Sequence, residues 1–113
     1  MTPNRKFPTI TNTSVDAASY IAGTWVQGRM KGPSLVELQI AVGTAATFYV
    51  IWSTSQGTGG IYATTALNSS VAIPAGQLFN LSHHALATTS YFNYQLSATT
   101  TVKQFAGSEL GIW

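Results

Sequence analysis

From Tyr20 onward, short apolar runs alternate with clusters of Gly, Pro, Ser and Thr, at a spacing of about 8 to 12 residues that marks an all-β sandwich or barrel. The clearest run is "SLVELQIAV", residues 34–42. Val36, Leu38, Ile40 and Val42 fall on one side of an extended chain, and Glu37 and Gln39 on the other. Ser34 followed by Glu37 also fits a helix capping box, with Gly43 as its stop. The period of two, sustained from Val36 to Val42, outweighs that local signal and predicts a strand with one buried face.

The other elements follow from the same reading. "SYIAGTWVQGR" predicts a first strand, broken or bulged at Gly23, and "MKGPS" a turn. "TFYVIWS" is apolar on both sides, as a central strand or one covered on its second face would be. "TSQGTGG" turns the chain into "IYATTAL" as a hairpin partner. "SVAIPAGQLFNL" reads as two short strands around a tight turn at Pro74-Ala75-Gly76. "SYFNYQLSATTTVKQF" is the longest β-rich stretch and should bend or turn near Thr99 to Thr101, before the apolar end "AGSELGIW". Together these give a single antiparallel β-sandwich, jelly-roll or immunoglobulin-like, of seven or eight strands over residues 20–113. Residues 1–19 hold two prolines, Arg5, Lys6 and isolated apolar residues. They read as an extended arm that docks onto a neighbour or onto the domain's own sheet.

Composition sharpens this picture in one respect. Only 7% of the 113 residues are charged, against about 25% in an ordinary soluble domain. Such a chain hides surface in an assembly or solvates it with hydroxyls, and Thr and Ser supply 27 residues for the second purpose. The expectation is a homo-oligomer or a component of a larger particle. The five cations, Arg5, Lys6, Arg29, Lys31 and Lys103, are scattered, so no patch for direct nucleic-acid binding is expected. No apolar run reaches membrane-spanning length, and the first residues lack the apolar core of a signal peptide. Neither a membrane role nor export is therefore expected. Cysteine is absent, which removes disulfides and thiolate metal sites.

Candidate chemistry is sparse. His83 and His84 are adjacent. On a strand they would point to opposite faces, so joint metal ligation needs an irregular loop and further donors from Asp16, Glu37 or Glu109. They read instead as a polar loop between a strand ending at Leu81 and one starting near Ser90. Glu37 is expected in mid-strand, Asp16 in the arm and Glu109 in the tail. There is no G-x-S-x-G elbow, and the three acids leave little for a triad or a carboxylate pair. "GTGG" at 57–60 lacks the Lys-Ser/Thr ending of a phosphate loop. No enzyme activity, cofactor or metal is expected. Among the aromatics, Trp52 reads as core, Trp25 or Tyr62 could form a platform for a sugar, and Trp113 is placed to reach a neighbour. The interface candidates are Arg5, Lys6, Phe7 and Trp113.

The stretches "SLVELQIAVGTAATFYVIWSTSQG", "VAIPAGQLFNL" and "YFNYQLSATTT" together resemble the small β-sandwich structural proteins of tailed bacteriophage virions. The resemblance covers residues 34–102. It departs from the pattern at Asn93, which follows Phe92 where such proteins often carry arginine. It implies a virion structural protein assembled in the host cytoplasm, most readily a capsid decoration (cement) protein. Its partner would be the major capsid protein or another virion protein, and Arg5 and Lys6 would meet acidic patches on the shell. The alternatives are a carbohydrate- or receptor-binding module of a tail fibre, and a shell-forming subunit. No catalytic residue is implied.

Overall fold

A computed structural model describes residues 4–21, 26–27, 34–53, 60–85 and 91–111. They form nine strands: β1 (Asn4–Lys6), β2 (Ile10–Val15), β3 (Val26–Gln27), β4 (Ser34–Val42), β5 (Phe48–Ser53), β6 (Ile61–Ala66), β7 (Phe79–Ala85), β8 (Tyr91–Leu96) and β9 (Thr100–Gly111). All pairings are antiparallel. One sheet runs β1-β9-β4-β7, with β2 also on β9, and the other β3-β8-β5-β6. We call them the five-stranded and the four-stranded sheet. The expected antiparallel β-sandwich is the architecture of the chain: seven of the described strands, β3 to β9, fall within residues 20–113 as expected, and the other two come from residues 4–15.

β4 shows why alternation beats the capping signal. Val36, Leu38, Ile40 and Val42 are buried while Glu37 and Gln39 are exposed, so a strand buries the whole apolar set at once. A helix would have spread those four residues around its circumference. Facing them from the four-stranded sheet are Phe48, Val50, Phe92, Tyr94 and Leu96. The centre is aromatic: the Phe48 and Tyr94 rings stack at 5.1 Å, and Phe105 meets Tyr94 at 5.6 Å.

β5 is covered on both faces, as its composition predicts. Phe48 and Val50 point into the sandwich, while Ile51 and Ser53, together with Asn93 of β8, are buried on the far side of the same sheet. β9 needs a device to join the core. Val102 and Phe105 are both fully buried yet three residues apart, which simple alternation forbids. The register against β4 shifts between Ala41 and Val42, and this bulge turns Val102 back to the inner face.

Residues 4–15 were expected within an extended arm. Of its two docking places, they take the domain's own sheet, as β1 and β2 along β9. Phe7, between the two strands, and Val15 belong to the core. Tyr20 bridges to Gln95 and Ile21 is fully buried. The expected break at Gly23 lies outside the described residues. The "SVAIPAGQLFNL" stretch supplies one isolated bridge, Ile73 to Ala46, then a turn at Gly76 (φ 78°), then β7.

Candidate functional site

The outer face of the five-stranded sheet carries a groove of about 530 Å³. Its polar lining comes from three adjacent strands. Glu37 of β4 stands between Ser82 of β7 and Ser108 of β9, and Gln39 of β4 between Asn80 of β7 and Ala106 of β9. Two ranks therefore cross the sheet, Ser108-Glu37-Ser82 and Ala106-Gln39-Asn80, separated by two residues along each strand, or about 7 Å. Lys6 of β1 pairs with Ser108 and extends the first rank. Small residues in β9, Ala106-Gly107-Ser108, keep the floor low. Glu37, Gln39, Asn80 and Ser82 are exposed, so their hydrogen-bonding groups are available to a ligand.

The glycine at 107 is required from the other side. A Cβ there would lie 2.5 Å from Leu38 Cδ2 and 2.7 Å from the Glu37 carbonyl oxygen, with Phe7 at 3.2 Å. The close approach of β4 to β9 under the groove thus depends on the missing side chain.

Beneath the same sheet sits a buried polar cluster. Glu109 was expected in a C-terminal tail; it lies instead within β9, 1% exposed, in an ion pair with Arg5 of β1. The register explains this: Arg5, Glu109, Val36 and His83 occupy neighbouring positions across β1, β9, β4 and β7 on one face. One Glu109 oxygen, Oε1, takes both Nε and Nη2 of Arg5, and the other, Oε2, is buried without a hydrogen bond.

The paired histidines are not a loop. They lie in β7, where strand geometry sends them to opposite faces. His84 is exposed. His83 packs edge-on against Trp52, Phe92 and Tyr94 at 5.8 to 6.1 Å. Burial, reinforced by the neighbouring His84, lowers the His83 pKa to about 4, so the ring is neutral at pH 7. The Tyr94 hydroxyl lies 3.4 Å from His83 Nε2. Burial, then the Glu109 carboxylate, raise the Tyr94 pKa well above 10. Tyr94 therefore stays protonated, and which of the two groups donates follows from the imidazole tautomer. Within this cluster Glu109 and Tyr94 are buried and Arg5 and His83 are half-buried, all on the face of the sheet opposite the groove.

The sequence-chosen interface residues scatter. Arg5 is held by Glu109, Phe7 is buried in the core, and Lys6 is exposed beside the groove. Trp113 and Trp25 lie outside the described residues. Trp52, expected in the core, packs against it from a half-buried position and sends its indole N–H to Thr65 Oγ1 at 3.2 Å. The groove residues escaped the sequence reading because they look like ordinary solvent-facing positions. The signal was present in the polar phase of "VELQ", "NLSH" and "AGSE", but only the pairing of β9, β4 and β7 makes it one surface.

No family model matches the chain, and no curated protein matches it. Its similarities are to solved structures. One is the CBM22-1 xylan-binding domain from Paenibacillus barcinonensis Xyn10C, with a TM-score of 0.55 at 7% identity, covering 91% of this chain and 68% of that one. Another is a chain of the IBDV viral particle, with a TM-score of 0.52 at 10% identity over 97% of this chain. This chain spans 31%, about a third, of that viral chain's length. At such identities the likeness is one of fold. Carbohydrate-binding modules and viral capsid proteins share this β-sandwich architecture.

Proposed function

We propose that the chain is a non-enzymatic binding module whose groove takes an extended, neutral, hydroxyl-rich ligand: an oligosaccharide strand. The observation that carries this reading is the pair of polar ranks on β9, β4 and β7. The amides of Gln39 and Asn80 and the hydroxyls of Ser82 and Ser108 each donate and accept, as sugar hydroxyls require of their partners. A polyanion is disfavoured by Glu37 in the middle of the floor. An apolar ligand would leave the polar ranks desolvated without partners. Hydrolysis of a bound sugar would need two carboxylates flanking the bond. Glu37 is the one acid in the groove lining, and Glu109 is sealed on the other side of the sheet.

The test is affinity electrophoresis and calorimetry against a panel of neutral polysaccharides. Xylan is the first to try, since a fold neighbour is described as binding it. Retardation by at least one polysaccharide is expected. A Gln39→Ala/Asn80→Ala variant should weaken binding about tenfold, the loss of one or two net hydrogen bonds. Silence across the panel, or binding indifferent to the double variant, would refute the reading.

A second reading, a virion structural protein such as a phage capsid decoration protein bound to the major capsid protein, is favoured by a different feature. In the connection from β6 to β7, Val71 and Leu78 are 58% and 51% exposed and Pro74 is exposed too, apolar surface on a chain with 7% charged residues. Co-sedimentation with shells, lost on Val71→Ser/Leu78→Ser, would favour it over glycan binding.

A further inference from the structure

The two sides of the sandwich treat their sheet edges differently. On one side, the five-stranded sheet ends in β1 and β2, an edge interrupted at residues 7–9 by Phe7 and Pro8 and carrying Arg5 and Lys6. Interruption, proline and charge are devices that keep edges from pairing. On the other side, β6 is bulged where its register on β5 shifts between Trp52 and Ser53. β7 has none of these devices. It runs for seven residues, "FNLSHHA", without proline, glycine, lysine, arginine or acid, and its register on β4 is unbroken from Ser34–Ala85 to Ile40–Phe79. Among the described residues it pairs with β4 alone. Its inward residues Phe79 and Leu81 are partly buried and packed against the core, so they keep apolar surface to hide.

From this unguarded edge we propose that a second copy of the chain adds its own β7 antiparallel to β7, making the two five-stranded sheets one continuous sheet. The occupant is a copy because a chain with 7% charged residues hides surface in an assembly, and β7 meets itself without like charges. A two-fold axis through Ser82 sets Leu81 opposite the partner copy's His83, Asn80 opposite its His84 and Phe79 opposite its Ala85. Inward residues meet inward ones and outward residues meet outward ones, as antiparallel pairing demands. At neutral pH no fixed like charges face each other, since β7 contains no Lys, Arg, Asp or Glu. The closed two-fold also uses up both copies of the open edge, which ends the assembly at two. This inference does not depend on what the groove binds.

The absence of cysteine allows a direct test. The wild-type chain is followed by sedimentation velocity across a dilution series, and single-cysteine chains Ser82→Cys, Thr64→Cys on β6 and Thr11→Cys on β2 are oxidised. A concentration-dependent dimer is expected. The Ser82→Cys chain should cross-link to itself at least tenfold faster than the other two, because only position 82 faces its own copy at disulfide distance. Ser82→Lys, which sets like charges opposite each other at the axis, should raise the dimer Kd about tenfold while its thermal unfolding stays cooperative. A monomer at every concentration overturns the proposal. So does a dimer whose cross-linking is faster through position 64 or 11. Should Ser82→Lys fail to fold, the cysteine series still decides.

Discussion

The most informative single residue is Glu109. A carboxylate that is 1% exposed is tolerated because Arg5 reaches it from the adjacent strand, and removal of one partner from a buried pair leaves an uncompensated charge. Arg5→Met is expected to cost about 3 kcal/mol in urea unfolding. The double variant Arg5→Met/Glu109→Leu should recover most of that, since an apolar pair of similar volume replaces the ionic one. A double variant no more stable than Arg5→Met would show that Arg5 acts through something other than its charge. His83 makes a separate prediction. Its folded pKa is about 4 against 6.5 unfolded, so the unfolded chain binds the extra proton between those values. Its contribution is fully present above pH 6.5 and is lost as pH falls towards 4, by up to about 3 kcal/mol. Stability measured from pH 7 to 5 should decline in the wild type, and the decline should flatten in His83→Phe.

At the level of elements, β9 decides most. It is the strand to which β1, β2 and β4 all attach, and its bulge lets Val102 and Phe105 share one face. Gly107 is where β9 passes under Leu38. Gly107→Ala would press a methyl onto both Leu38 and the Glu37 backbone. The side chain can yield but the carbonyl cannot do so without moving β4. The expected cost is about 2 kcal/mol, typical of overpacking, read as a lower denaturation midpoint. A neutral result would show that β4 shifts freely and that the groove floor is soft. The strands β4 and β5 were legible in the sequence because each carries its own complete burial pattern. The bulge was not, because an extra residue in a strand becomes visible only against its partner. The histidine pair misled for a similar reason: two polar residues in succession look like a loop until one finds an aromatic cage and the other faces solvent.

On the scale of the molecule, residues 4–15 are part of the fold. They supply Phe7 and Val15 to the core and the counterion of Glu109. Deletion of residues 1–15 is expected to abolish cooperative thermal unfolding by circular dichroism, and a sharp transition in the truncated chain would contradict the edge role of β1 and β2. Their polar composition suited an arm because an edge strand with solvent on its outer face needs few apolar residues. "ITNTSV" buries only Val15 fully and leaves Ile10 and Thr13 half-buried.

The sequence by itself determined the class of fold: period-two alternation in β4, two-sided apolarity in β5 and turn chemistry between strands are local properties that each segment carries alone. It also determined how little chemistry is on offer, with three acids and two histidines in the whole chain. Tertiary structure alone decided where those few groups went. Strand order set Glu109 beneath the sheet and Glu37 above it, brought Arg5 across more than a hundred residues to the first, and gathered Gln39, Asn80 and Ser108 beside the second. Pairing between distant strands is fixed by the summed burial of both faces, a quantity no single segment contains.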